Sequence, residues 1–78
     1  MNRSYGGAIY SSTPVQDNRQ GCAGVELCRT RRGHKERVAA ILFWDANGQF
    51  SVETFNTDIP LEILEELIAE GKDAVKAR

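Results

Sequence analysis

The stretch VAAILFWDANGQF, residues 38–50, decides the fold class of this 78-residue chain. Seven apolar residues run without a break from Val38 to Trp44, and Asp-Ala-Asn-Gly follows them. Asn47 and Gly48 readily adopt the left-handed backbone conformations that a tight hairpin loop requires. The stretch therefore predicts a strand that is apolar on both faces, followed by a reverse turn.

The segment after this turn, QFSVETF (residues 49–55), alternates apolar and polar residues as a strand does. Two hairpin registers fit the loop. A two-residue turn pairs Phe43 with Val52, whereas a three-residue turn with a bulge at Gly48 pairs Trp44 with Phe50. We favour the second register, because it sets one aromatic side chain opposite another.

Two further elements flank the hairpin. AGVELCRTR (23–31) alternates and predicts a strand, RRGHKE (31–36) predicts an exposed connection, and the strand of the opening stretch then starts at Arg37. The segment 59–76 predicts a helix with Pro60 in its first turn, although Gly71 lowers its propensity by about 1 kcal/mol relative to Ala. Apolar residues at helical spacing form one stripe along it: Ile63, Leu64, Leu67, Ile68, Ala74 and Val75.

This order predicts an α+β fold, a three-stranded antiparallel β-meander followed by one C-terminal α-helix packed on one face. Residues 1–21 are poor in aliphatic side chains and predict a flexible N-terminal tail, which leaves 22–78 as a single β-β-β-α domain. One helix covers only one face of the sheet. We therefore expect the other face to meet the tail, a second copy of the chain or another molecule.

The sequence favours a small non-enzymatic binding module that uses an apolar sheet face, first to form a homodimer. Large aromatic side chains dominate contacts of this kind. The predicted interaction residues come from the hairpin: Ile41, Phe43, Trp44, Phe50 and Val52. A protein partner or the chain itself is the predicted partner, and no small-molecule substrate is evident.

The alternative function is contact with nucleic acid through the basic segment RTRRGHKER, residues 29–37. Residues 1–40 carry seven Lys/Arg and three Asp/Glu, whereas 41–78 carry three and eight. Five cations of the segment are candidates for phosphate contacts: Arg29, Arg31, Arg32, Lys35 and Arg37. Because the net charge is −1 and no aromatic residue interleaves with the arginines to stack bases, a solvated hairpin connection is the favoured interpretation.

The β-β-β-α order resembles the AP2 DNA-binding domain and the arm-binding domains of phage integrases. The segment ETFNT (53–57), which leads into the helix, carries the local similarity, and the order of elements matches over roughly residues 24–75. The resemblance implies a sheet that lies in the DNA major groove with the helix behind it. The chain departs from AP2 domains where these read bases with Arg and Trp, because residues 39–43 are apolar and cannot hydrogen-bond base edges.

The sequence predicts no catalytic site, no metal site and no bound cofactor. Cys22, Cys28 and His34 are six residues apart, which is not the spacing of a zinc site, and no fourth ligand is evident. His34, the one histidine, lies among arginines without an acidic partner. The sequence shows no signal peptide and no apolar run of the roughly 20 residues that a membrane span needs. We therefore expect a cytoplasmic protein with reduced thiols.

Overall fold

The computed structural model describes residues 1–76 and shows a five-stranded antiparallel sheet with one helix packed on it. The elements are β1 (Asn2–Tyr5), β2 (Ala8–Asp17), β3 (Cys22–Arg31), β4 (His34–Trp44), β5 (Gln49–Thr54) and α1 (Leu61–Lys76). Each strand pairs with the next along the chain, so the order in the sheet is β1-β2-β3-β4-β5. The α+β class is confirmed.

The predicted three-stranded meander is wrong, because residues 1–21 contribute β1 and β2 to the sheet instead of forming a tail. The segment looked like a tail because its polar residues outnumber its apolar ones. Nevertheless Ala8 and Tyr10 are buried in the core, with Tyr10 only 2% exposed. Five strands also remove the three-stranded order on which the resemblance to sheet-type DNA-binding domains depended.

Pro14 lies within β2, a position that usually argues against a strand because proline cannot donate a ladder hydrogen bond. Pairing with β1 extends only from Ala8 to Ser11 of β2. Pro14 lies opposite Val25 of β3 and has no strand on its other side among residues 1–76. At this point β2 is therefore an edge strand, where proline is tolerated.

The connection between β3 and β4 is only two residues long. Arg32 and Gly33 both have positive φ, 52° and 76°. Such a pair forms the hairpin turn whose twist matches that of the flanking strands. Most of the predicted exposed connection is therefore strand, and β4 starts at His34 rather than at Arg37.

The β4–β5 hairpin uses a four-residue loop, Asp45 to Gly48, so both predicted registers are wrong. The Gly48 amide donates to the Trp44 carbonyl at 2.9 Å, and Gly48 has a φ of 65°. The register then pairs Phe43 with Phe50. The aromatic pair that we expected exists, but its β4 member is Phe43.

The apolar run of β4 is divided between the two faces of the sheet. A register shift opposite Leu27 and Cys28 leaves Val38 as an extra residue, and Val38 and Ala39 are both fully buried. Val38, Ala39 and Ile41 belong to the cluster under the helix, whereas Ala40 and Leu42 belong to a second cluster on the opposite face.

The helix α1 starts two residues later than predicted, where the Leu64 amide donates to the Pro60 carbonyl at 3.0 Å. Ile63, Leu67 and Gly71 are its buried residues. It lies mainly over β3 and also contacts β4 and β2. No helix within residues 1–76 is long and apolar enough to cross a membrane.

Candidate functional site

The helix leaves the β5 side of its own face uncovered. Among residues 1–76, Cα atoms of α1 come within 8 Å of Cα atoms of β2, β3 and β4 but not of β5. Glu62, Glu66 and Glu70, one turn apart, face β1, since Arg3 and the amino group of Met1 bind them. The opposite side of α1 therefore faces β5 across a gap.

Three apolar side chains lie on the helix side of the sheet at β5 and its neighbour β4, and we call them the β5 strip: Phe43, Phe50 and Val52. The rings of Phe43 and Phe50 pack edge to face with centroids 5.1 Å apart. Phe50 is 40% exposed and Val52 is 49% exposed. The strip therefore presents apolar surface to water in the isolated chain.

A groove of about 420 Å³ separates Phe50 from the C-terminal half of α1. Its lining is mostly apolar, with lysine and aspartate side chains on the rim; the residues are Phe50, Ala69, Lys72, Asp73, Val75 and Lys76. The residues of α1 that form the helical wall of this groove were not among the predicted interaction residues. Helical spacing places Val75 on the same side of the helix as Ile68 and Lys72, so the sequence could have indicated this wall.

The outer edge of β5 adjoins the β5 strip. Within residues 1–76, β5 pairs only with β4, so the other edge of its backbone has no partner strand. The opposite edge of the sheet is better protected. Its β1 part is four residues long, and Arg3 binds Glu66 and Glu62 of α1 at 2.8 and 3.4 Å. The rest of that edge, residues 12–17 of β2, contains Pro14, which has no amide to donate. A short, charged strand is a poor template for pairing with another chain.

The five predicted interaction residues do not form one surface. Phe43, Phe50 and Val52 lie together in the β5 strip, whereas Ile41, on the same face, is buried under α1 with 2% exposure. Trp44 lies on the helix-free face, one residue out of phase with Phe43, and its indole donates to Ser51 Oγ at 2.8 Å. Alternation along β4 separates Trp44 from Ile41 and Phe43, and the observed register separates it from Phe50 and Val52.

The helix-free face carries less exposed apolar surface than the sequence led us to expect. Residues 1–21 do not fold over it, yet Ala40 and Leu42 are only 4% and 7% exposed. Val15 and Trp44 pack against them, while the Arg37 guanidinium lies 4.5 Å from the centre of the Phe55 ring. The face is largely closed by its own side chains and requires no second cover.

The five predicted phosphate-contacting cations are also dispersed. Arg29 is buried and binds within the protein: it donates to Glu36 Oε1, to Thr57 Oγ1 and to the Asp58 carbonyl. Arg37 pairs with Glu26 at 3.2 Å. The other three, Arg31, Arg32 and Lys35, lie near the tip of the β3–β4 hairpin. All three are exposed, and none has an ion-pair partner within residues 1–76.

The Arg29–Glu36 ion pair favours the charged form of both side chains. Its hydrogen bond lowers the pKa of Glu36, and it raises the pKa of Arg29 against the opposing effect of burial. Both side chains therefore stay charged. Since Arg29 also holds Thr57 and Asp58, it fixes the segment between β5 and α1 to the sheet.

The residues weighed for catalysis and metal binding lie apart. Cys22 is buried, and burial together with Asp17, Glu53 and Asp45 raises the pKa of its thiol. A thiol held in this protonated state is a poor nucleophile. Both cysteines are free, and residues 1–76 contain no group of three or more His, Cys, Asp or Glu side chains able to hold a metal ion.

Comparison of the chain with models of known protein families, with curated proteins and with solved structures finds no match.

Proposed function

We propose that this protein is a non-enzymatic binding module that associates with a second copy of itself through the β5 strip. The observation that carries the proposal is the exposure of Phe50 and Val52 beside an unpaired sheet edge. Elsewhere the apolar clusters are closed by α1 or by neighbouring side chains. Removing an apolar patch from water favours association by roughly 25 cal/mol for each Å² buried.

The matched test compares two β-branched residues of equal exposure. Val52 is 49% exposed in the β5 strip, and Ile9 is 48% exposed on the helix-free face of β2. We expect Val52→Lys to abolish self-association in sedimentation velocity, while Ile9→Lys leaves it unchanged. The proposal fails if wild type stays monomeric up to roughly 0.5 mM, or if both substitutions weaken the dimer equally.

Free thiols support a reducing compartment as the place of action, and we therefore place the module in the cytoplasm. Cysteine labelling in intact cells tests this. Rapid alkylation before lysis should modify Cys28 fully, whereas protection of Cys28 that is reversed by a reductant would contradict a reducing location.

A second candidate function is nucleic-acid contact by the β3–β4 hairpin. Its support is the cluster of Arg31, Arg32 and Lys35 around a two-residue turn. Three phosphate contacts give weak binding that salt screens away. A gel shift with random DNA or RNA at low salt, lost on Arg31→Glu with Arg32→Glu and retained in Arg3→Glu, would favour this candidate over the first.

A further inference from the structure

We infer that the two copies join through antiparallel pairing of their β5 edges, with the two-fold axis passing beside Ser51. The inference rests on the proposed self-association through the β5 strip and adds its geometry. It converts two five-stranded sheets into one continuous sheet of ten strands.

The backbone amides and carbonyls of β5 point alternately toward β4 and away from it. The Phe55 amide donates inward to the Val38 carbonyl of β4 at 3.1 Å. Backbone groups of successive strand residues point to opposite sides, so those of residues 49, 51 and 53 also point toward β4. The amides and carbonyls of Phe50, Val52 and Thr54 therefore point outward, where residues 1–76 supply no partner strand.

Outward-pointing groups restrict how a second β5 pairs with the first. In a regular antiparallel ladder, a residue whose groups point toward the partner strand lies opposite a residue of the same kind. Phe50 can then face the partner's Phe50, Val52 or Thr54. Residues that face each other carry their side chains on the same side of the sheet, so both helices lie on one face of the joined sheet.

Side-chain matching selects one of these registers. If Phe50 lies opposite the partner's Phe50, Val52 lies opposite the partner's Gly48, which belongs to the loop. If Phe50 lies opposite the partner's Thr54, the threonine hydroxyl is buried against an aromatic ring. Pairing Phe50 with the partner's Val52 forms two aromatic–β-branched pairs, a favourable combination. Glu53 then lies opposite the partner's Gln49, so no carboxylate faces another, and Ser51 lies opposite the partner's Ser51.

The two edges of the sheet differ, and this difference favours a closed dimer over an open filament of copies. Pairing β5 with β1 of another molecule would continue indefinitely and form a filament. β1 offers four residues, and Arg3 on it is bound to α1. The adjoining outer edge of β2, residues 12–17, is interrupted by Pro14. The self-pairing of β5 instead closes after two copies. A six-residue edge with its flanking side chains is a small interface, of the class below about 1,200 Å², so we expect micromolar or weaker affinity.

A cysteine placed on the axis tests the register. Residues facing each other as a non-hydrogen-bonded pair have Cα atoms about 4.5 Å apart, inside the range of about 4.4–6.8 Å for disulfides. In a Cys22→Ala, Cys28→Ser background, Ser51→Cys should form a covalent dimer under mild oxidation. Gln49→Cys should not, because its Cα lies about 13 Å from the partner's equivalent, four residues along the strand.

Val52→Pro is the second variant, and it tests the backbone pairing. The Val52 amide points outward, so proline removes two intermolecular hydrogen bonds per dimer and spares the β4–β5 ladder. We expect the dissociation constant to rise at least about tenfold while the monomer remains folded by circular dichroism.

Three results are distinguishable. The edge pairing is supported if Ser51→Cys forms covalent dimers, Gln49→Cys does not, and Val52→Pro loses association. A dimer that depends on Val52 by the lysine test but cross-links at neither cysteine overturns the edge pairing and leaves the proposed function standing. A wild-type protein that never associates overturns both.

Discussion

Gly71 of α1 lies directly against Ile41 of β4: a Cβ atom built on Gly71 would come within 2.7 Å of Ile41 Cγ2 and 2.9 Å of its Cβ. The sequence marks Gly71 as a weak point in the helix. The structure shows why the position excludes a side chain, since the missing Cβ lets α1 approach the sheet. This contact also holds α1 over the middle of the sheet and away from β5.

Gly71→Ala should destabilise the protein in spite of its better helix propensity. Alanine gains about 1 kcal/mol in helix propensity, but the overpacking against Ile41 costs typically 1–3 kcal/mol. We expect a net loss of about 1 kcal/mol in urea unfolding. Ala69→Gly, on the exposed side of the same helix, reports the propensity difference alone. A gain of stability in Gly71→Ala would show that the close approach does not exist.

Gly24→Ala should be more damaging than Gly71→Ala. A Cβ on Gly24 would overlap the carbonyl oxygen of Ile41 in the paired strand, and backbone cannot rotate away as a side chain can. We expect a loss of about 3 kcal/mol or more, measured by urea unfolding. Gly7→Ala is the control: its φ of 80° is strained for alanine but no atom lies within 4 Å, so it should cost only about 1–2 kcal/mol.

Arg29→Ala and Arg31→Ala should differ sharply, although the two arginines are two residues apart in β3. Arg29 is 8% exposed and holds Glu36, Thr57 and the Asp58 carbonyl. Its loss removes these charge-assisted hydrogen bonds and the packing of its own buried side chain, and should cost about 1–3 kcal/mol, because water can reach Glu36 and Asp58. Arg31→Ala should change the free energy of unfolding by less than about 0.5 kcal/mol. Equal effects would mean that Arg29 does not anchor the segment before α1.

The Arg29–Glu36 pair should make stability fall at acid pH. The folded-state pKa of Glu36 is lowered by Arg29, so its contribution is fully present above the ordinary glutamate pKa and is lost as the pH falls through the lowered value. Wild type should therefore exceed Glu36→Gln in stability at neutral pH, and the difference should shrink toward about pH 3. Urea titrations across this range measure it, with the exposed helical Glu65→Gln as control. A constant difference would contradict the pairing.

About half of the candidate site follows from the sequence. Alternation along 49–55 and the aromatic content of β4 identified Phe43, Phe50 and Val52. Trp44 was wrongly grouped with these residues because the register of the hairpin depends on the length of its loop. The Gly48 turn sets that length, and propensity alone does not predict it. Ile41 was wrongly grouped with them because sequence periodicity does not state which strand a helix crosses.

The sequence by itself determined β3, β4, β5 and α1 approximately, because binary patterning with period two or 3.6 is a local property of the chain. Only the tertiary structure decided that β1 and β2 complete the sheet. Their polar residues give little periodic signal, and backbone hydrogen bonds recruit β2 to β3 and β1 to β2. The width of the sheet and the Gly71–Ile41 contact then set where α1 lies. That position leaves β5 uncovered, because one helix is too narrow for five strands.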